Sequence, residues 1–504
     1  MSDPERLARD DGRLAAGAGL ISQARLVGGA LNMLTVVFLT RLLDHAGFAT
    51  VALIYLVQET LNTFGPLGLD SALSFFVPKL GHRVARALGV YTGLVLTALA
   101  VPYALVLWLG GPFIARVVDI PGIDVPLAWL ALAVLADFPG QTLPSYLIAA
   151  ERYIGAFWVT LVFYVSRFAS LVVPAWLGAD VNTLIALFAL VAVLRGAMFV
   201  FYFAFVAKGP LGAEVRGQWR LRDMFAYGLP LSLSMIVGKL NVQVDKYMIA
   251  VLCTAELFAI YSVGATELPL VPGIAYSVTT ALVPVLVVAH RDRRPDEFLR
   301  YWHGSMVKVA SVMMPTFVVL FVLAEPTVMV LFSADYAEAA VPFRVYLCLL
   351  PLRLCGYGAV VRALGRTRPV LVASLAALLA NAALNYPFFL AFGLSGPALA
   401  SIVAQGVAIA VLLRVVRGEL SLGWAEVFPF RPVLRALVVA AVAAAPLLLV
   451  DRWLTGAGLR LAVGFGIYVP TYVLLGRALG LLSAADLRYV ADFLTGRLGR
   501  RARG

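Results

Sequence analysis

Apolar residues run along this chain in blocks of about twenty or more, separated by short polar stretches. A helix that crosses a bilayer needs about 20 predominantly apolar residues. On that criterion the pattern predicts about fourteen spans, at 15–40, 47–78, 88–110, 125–149, 156–177, 182–207, 224–252, 256–288, 303–332, 340–362, 369–392, 394–416, 433–451 and 458–480. The second and the eighth are long and carry internal prolines, which predicts bends. The longest connections are 208–223 and 289–302, so no sizeable extramembrane domain is expected.

Lysine and arginine placement orients these spans, because cytoplasmic loops carry the excess of basic residues. With the N-terminus inside, inner loops hold Lys79, Arg83 and Arg86, then Arg152, then Lys208, Arg216, Arg220 and Arg222. They continue with Arg291, Arg293, Arg294 and Arg300, then Arg362, Arg366 and Arg368, then Arg414, Arg417 and Arg431. Outer loops hold Arg41, Arg116, Arg452 and Arg460. An early miscount would destroy this alternation, so both termini are expected in the cytoplasm. The tail from Leu487 to Leu498 is amphipathic at helical spacing and ends in arginines. It either lies on the anionic inner leaflet or is a solvated basic stub.

Composition agrees with the pattern. The chain is 62% hydrophobic and 13% charged, against about 25% charged in soluble domains. No secretory cleavage site follows the first apolar run, so the first helix is expected to be retained. In a soluble chain the net charge of +12 would suggest nucleic acid. Here the positive charge is spread over short loops and reads as a topology signal, and no nucleic-acid partner is expected. Cys253, Cys348 and Cys355 form neither a disulfide framework nor zinc spacing. Cys348 and Cys355 are expected two turns apart on one helix, too far to bridge. The four histidines fall near span ends. No metal site, cofactor site or nucleotide-binding loop is visible.

An internal repeat is visible as well. Phe48-Ala49-Thr50-Val51-Ala52 leads to Pro66 and then Val77-Pro78. Phe258-Ala259-Ile260-Tyr261-Ser262 leads to Pro272 and then Val283-Pro284. Both proline pairs are twelve residues apart, and the copies lie six helices apart. An even separation predicts two halves of parallel topology, a transporter plan with the cargo site between them.

Several passages carry a family likeness. Phe38-Leu39-Thr40-Arg41-Leu42-Leu43 is followed by Gly47-Phe48-Ala49. Gly65-Pro66-Leu67-Gly68-Leu69-Asp70-Ser71-Ala72 precedes Phe76-Val77-Pro78-Lys79-Leu80. The second half has Tyr227-Gly228-Leu229-Pro230-Leu231, then Asn241-Val242-Gln243-Val244-Asp245-Lys246. Ala363-Leu364-Gly365-Arg366-Thr367 and Gly393-Leu394-Ser395-Gly396-Pro397-Ala398 follow. In order and spacing, over residues 15–420, the chain resembles the MOP superfamily, specifically its Wzx-type oligosaccharide flippases. Arg25 departs from the small-residue pattern that many relatives carry early in helix one.

The resemblance implies an all-α membrane protein with a MATE-like fold, two six-helix lobes forming a V around a central cavity, and alternating access. It also implies a cargo such as an undecaprenyl-diphosphate-linked oligosaccharide, handed to polysaccharide-assembly proteins. The expected organisation is a cytoplasmic N-terminus 1–14, a first lobe 15–207, a linker 208–223 and a second lobe 224–417. Two more helices at 433–480 and a cytoplasmic tail 481–504 complete it. The expected location is the bacterial cytoplasmic (inner) membrane.

Ionisable residues inside spans are costly and mark function. The basic set is Arg25, Arg167, Arg195, Lys239, Lys246, Lys308 and Arg353, and the acids are Glu59, Asp137, Asp245 and Glu267. Structural ion pairs would be near balance, whereas a basic excess suits an anionic cargo such as a diphosphate. Arg25 and Asn32 share one face of helix one, with Gly28 and Gly29 between them. Lys239, Gln243 and Lys246 share a face of helix seven. Arg25, Asn32, Lys239, Gln243, Arg167, Arg195 and Arg353 are the candidate anion-binding set. For Arg167, Arg195 and Arg353 the alternative is packing, with Asp137 as a partner, or snorkelling. Snorkelling is expected for Lys308, and Asp245 is read as structural. Asp137, beside Pro139 and Pro144, is a candidate gate or hinge. Glu59 and Glu267 are candidates for coupling to H+ or Na+.

The leading expectation is a flippase for a lipid-linked glycan. A lipid II flippase and a drug exporter of the same superfamily are the rivals within that class. The basic excess argues against a cavity for cationic drugs. A membrane glycosyltransferase, ligase or polymerase is the rival outside it. Such enzymes need acids or histidines on sizeable outer loops, and Asp119, Asp124, Asp335 and Glu338 form no motif.

Overall fold

The computed structural model describes residues 3–120, 122–211, 219–266 and 270–482. Glu267, Arg216 and the tail helix 487–498 lie outside the described residues. The fold is all-helical, and no β-strand occurs among the described residues. This follows from the bilayer as solvent, since a helix satisfies all its backbone polar groups within one segment. The chain divides into two compact units, 1–262 and 263–504.

The first unit opens with α1 (Asp3–Leu42), α2 (His45–Phe64), α3 (Leu69–Leu80) and α4 (His82–Val117). It continues with α5 (Asp124–Gly140), α6 (Leu143–Ala149), α7 (Tyr153–Trp176), α8 (Val181–Phe201) and α9 (Leu221–Leu252). A π-helical turn, Tyr202–Val206, extends α8. The predicted bend in the second span is a full break between α2 and α3. There Leu67 and Gly68 both take positive φ, 48° and 80°. The span at 125–149 also breaks, between Pro139 and Pro144, and the Thr142 hydroxyl bonds the freed Pro139 carbonyl at 2.8 Å.

The break at Gly68 lets α9 approach closely. A Cβ on Gly68 would overlap the Gly228 backbone, and one on Gly228 would overlap the Gly68 carbonyl. Contact between backbones is the usual use of glycine between membrane helices. Tyr227 stacks on Phe75 beside it, with ring centroids 4.5 Å apart. Gly228→Ala is therefore expected to destabilise the protein by about 1–3 kcal/mol through overpacking. A thermal melt of the purified variant checks this, and an unchanged melting temperature would refute it.

The boundary falls within α10 (Ala255–Gly264), and the second unit continues with α11 (Leu270–Arg291), α12 (Pro295–Val322) and α13 (Ala324–Phe332). Next come α14 (Ala340–Leu347), α15 (Tyr357–Ala363), α16 (Arg368–Phe392) and α17 (Gly396–Leu420). The chain ends in α18 (Trp424–Val427), α19 (Phe430–Ala443), α20 (Leu447–Trp453) and α21 (Ala457–Ala478). Trp302, Phe298, Met306, Leu286 and Val360 form a fully buried core where α11, α12 and α15 meet.

The span predicted at 340–362 is not one helix. It breaks around a 3-10 turn, Leu350–Leu352, and Gly356 N donates to the Thr279 hydroxyl at 3.0 Å. Cys348 and Cys355 consequently flank that break instead of sharing a helix.

Ten described segments are long and apolar enough to cross a membrane. One of them, Arg368–Leu420, comprises the two helices α16 and α17, joined by a 3-10 turn at Gly393–Ser395. The predicted spans at 47–78, 125–149 and 256–288 are each built from two shorter helices.

Candidate functional site

Five parts of the first unit line an open cavity of about 250 Å³. From α1 come Ile21, Arg25 and Asn32. Together with Gly28 they follow steps of four, three and four residues, which keeps them on one helix face. From α7 come Thr160, Phe163, Tyr164 and Arg167, again on one face. Glu59 and Asn62 come from α2, and Arg195 comes from α8. The break after α5 together with α6 supplies Gln141, Pro144, Ser145 and Ile148.

Gly28 makes one wall possible. The ring of Tyr164 lies against its Cα, where any Cβ would overlap the ring. Two glycine contacts also hold α5 against α8. A Cβ on Gly196 would overlap the Ala136 carbonyl, and one on Gly140 would crowd the Arg195 backbone. Arg195 is thereby fixed at the cavity edge.

The cations are held in different ways. The Arg195 guanidinium donates to Asp137 at 2.9 Å and lies 3.9 Å from the Phe163 ring centroid. Its Nε and the second Asp137 oxygen have no partner among the described residues. Arg167 is buried and lies 4.2 Å from the Tyr55 ring centroid and 5.2 Å from that of Phe188. Its Nε donates to the Tyr55 hydroxyl at 3.2 Å, and one terminal nitrogen sits 3.8 Å from Glu59. Stacking on aromatic faces offsets part of the desolvation of a buried guanidinium. Arg25 differs from both: it is exposed to the cavity and makes no hydrogen bond or ion pair among the described residues.

Lys239 and Gln243 of α9 turn to α2. Lys239 Nζ donates to Glu59 at 3.0 Å, while the Gln243 carbonyl accepts from the Thr60 hydroxyl at 2.7 Å. Tyr247 donates to the same hydroxyl at 2.6 Å. Lys239 thus reaches the cavity through Glu59, and Gln243 lies in the α2–α9 seam. Asp137 stands behind Arg195. Arg353 belongs to the second unit, at the end of the Leu350–Leu352 turn, and is not among the lining residues. Glu267 lies outside the described residues.

Sequence reasoning passed over Tyr55, Asn62, Gln141, Phe163 and Tyr164. Tyr55, Glu59 and Asn62 form an i, i+4, i+7 polar stripe on α2, and Phe163 and Tyr164 precede Arg167 by four and three residues. Those spacings were the available signal.

A family model described as a polysaccharide biosynthesis protein matches residues 38–341, more than half of the chain. The chain belongs to that family of polysaccharide biosynthesis proteins. No curated protein sequence matches it. Among solved structures, the lipid II flippase MurJ in an inward closed conformation has a TM-score of 0.70 at 16% identity. That match covers 91% of this chain and 99% of the other. An inward-facing multidrug resistance MATE family transporter has a TM-score of 0.59 at 16% identity, covering 77% and 94%. The eukaryotic MATE transporter AtDTX14 has a TM-score of 0.52 at 15% identity, covering 86% and 99%. The fold is that of MOP transporters.

Proposed function

We propose that the protein moves a polyprenyl-diphosphate-linked oligosaccharide from the cytoplasmic to the outer leaflet by alternating access, for cell-surface polysaccharide or lipopolysaccharide biosynthesis. The charge balance of the cavity carries this reading. Arg25, Arg167 and Arg195 face one carboxylate, Glu59, a surplus of 3 − 1 = 2. Adding Lys239 and Asp137, which pair with Glu59 and Arg195, leaves it at 4 − 2 = 2. A diphosphate joining a lipid to a sugar carries two negative charges. Arginine forks match phosphate oxygens, and Arg25 has no internal carboxylate to compete with them. A cationic drug would meet net repulsion in the same cavity.

In this reading the protein lies in the bacterial inner membrane, crosses it fourteen times by counting broken helices as crossings, and keeps both termini in the cytoplasm. An outward-moving anion gains about 2.3 kcal/mol per charge per 100 mV from an inside-negative potential. Coupling to H+ or Na+ through Glu59 or Glu267 would add to that drive and is not required for it.

The test is transbilayer movement in proteoliposomes. A fluorescent undecaprenyl-diphosphate oligosaccharide should cross faster with protein than without, and faster still when the loading side is made negative. An analogue without phosphate should not be accelerated. Equal acceleration of both lipids would overturn the assignment.

A further inference from the structure

The corner of the second unit between α17 and α19 carries charges that transport does not use. We infer that it binds an anionic phospholipid of the surrounding bilayer. The headgroup lies among Arg414, Arg417 and Arg431, and an acyl chain runs along α19.

The connector is two-sided. Val427 is buried in the core with Phe298 and Trp302, and Leu422 and Phe428 pack against that core. His303 Nε2 donates to the Val427 carbonyl at 3.1 Å, which pins the connector to α12. On the other side Trp424 and Phe430 are more than half exposed. Exposed aromatics at the ends of membrane helices mark the headgroup level. Phe430 also heads a stripe on α19: Leu434, Val438 and Val442 follow at steps of four, each more than half exposed. Twelve residues of helix rise about 18 Å, comparable to the roughly 15 Å of hydrocarbon in one leaflet.

Any apolar helix face in a membrane meets lipid, and the arginines set this one apart. The Arg417 guanidinium lies over the Trp424 ring, 4.8 Å from its centroid, and its Nε donates to the Leu422 carbonyl at 3.3 Å. Plane and Nε are thereby fixed, and the two terminal nitrogens have no partner among the described residues. Arg414, three residues earlier on α17, and Arg431, beside Phe430, are exposed and likewise have none. The neighbouring carboxylates are committed elsewhere. Glu419 pairs with Arg366 at 2.8 Å, and Glu426 accepts from the Gly423 backbone N–H at 2.8 Å. Arg431 stands in the first turn of α19, where the helix dipole disfavours a cation. A bound anion offsets that cost. Arginine forks match phosphate oxygens, and basic pockets at the ends of membrane helices suit anionic headgroups. An acidic protein would answer the charges but leave the apolar stripe unused.

The experiment measures binding of fluorescent phosphatidylglycerol and of the matching phosphatidylcholine to the purified full-length protein in neutral detergent. It involves no transport, so its outcome is separate from the reading above. Phosphatidylglycerol should bind at least tenfold tighter. Arg417→Gln and Arg431→Gln should each weaken it about fivefold and leave phosphatidylcholine unchanged. Trp424→Leu, which removes the plate under Arg417, should act in the same direction. Arg116→Gln, which removes an exposed charge from α4, should have no effect. If Arg417→Gln fails to fold, Arg414→Gln and Arg431→Gln carry the test, since neither side chain holds a described residue. The inference is overturned if wild type shows no preference between the lipids, if the arginine variants keep the full preference, or if Arg116→Gln weakens binding equally. Competition by inorganic phosphate as strong as by phosphatidylglycerol would make this a free-phosphate site and overturn the lipid assignment. Polyglutamate bound by wild type and not by Arg417→Gln/Arg431→Gln, with no preference between the lipids, would give the surface to an acidic protein instead.

Discussion

Arg195→Ala will lower the stability of the folded protein by about 3–5 kcal/mol, the usual cost of stripping one partner from a buried ion pair. The side chain of Asp137 is 1% exposed, and its ion pair is the 2.9 Å contact with Arg195. Without the guanidinium, an uncompensated carboxylate remains between α5 and α8. The vacated space beside Phe163 also loses the ring contact. The double variant Asp137→Asn/Arg195→Gln replaces the ion pair with a neutral hydrogen bond, and it should recover most of the stability. A double-mutant cycle of thermal melts in detergent reads the coupling directly. Equal melting temperatures for wild type and Arg195→Ala would mean that the pair contributes nothing to folding.

Arg25→Ala has the opposite profile, with folding intact and transport lost. Its guanidinium is exposed to the cavity and satisfies no other described residue, so truncation leaves nothing buried and unpaired. A hydrogen bond to a charged group is worth about 1.5–3 kcal/mol, so movement of the diphosphate lipid should fall roughly 10–150-fold. Arg25→Lys retains the charge but not the planar fork and should fall between the two. The measurement is the initial rate of lipid movement at matched protein incorporation. A wild-type rate in Arg25→Ala would overturn its assignment to the anion site.

The membrane-spanning helices were readable because a bilayer imposes its thickness on composition. The break between α2 and α3 was signalled by Gly65-Pro66-Leu67-Gly68. The break at 350–356 was masked, because the apolar run continues through it and its support, Thr279, lies 77 residues away. Within the cavity, Arg25 and Asn32 could be placed together by helical periodicity alone. Arg167 and Arg195 stood out as charges in an apolar context, and Asp137 was anticipated as a packing partner. The bond from Lys239 to Glu59 spans 180 residues and two helices, and no local pattern announces it. Asn62, Gln141 and Tyr164 were overlooked for a different reason. Uncharged polar residues are common enough in membrane helices that burial alone does not single them out.

Gly28 has no side chain, yet a carbon atom there would either displace the ring of Tyr164 or part α1 from α7. Both outcomes reshape the wall between Arg25 and Asn32 and leave every charge in place. A single methyl group on α1 would therefore change the shape of this cavity without changing its charge.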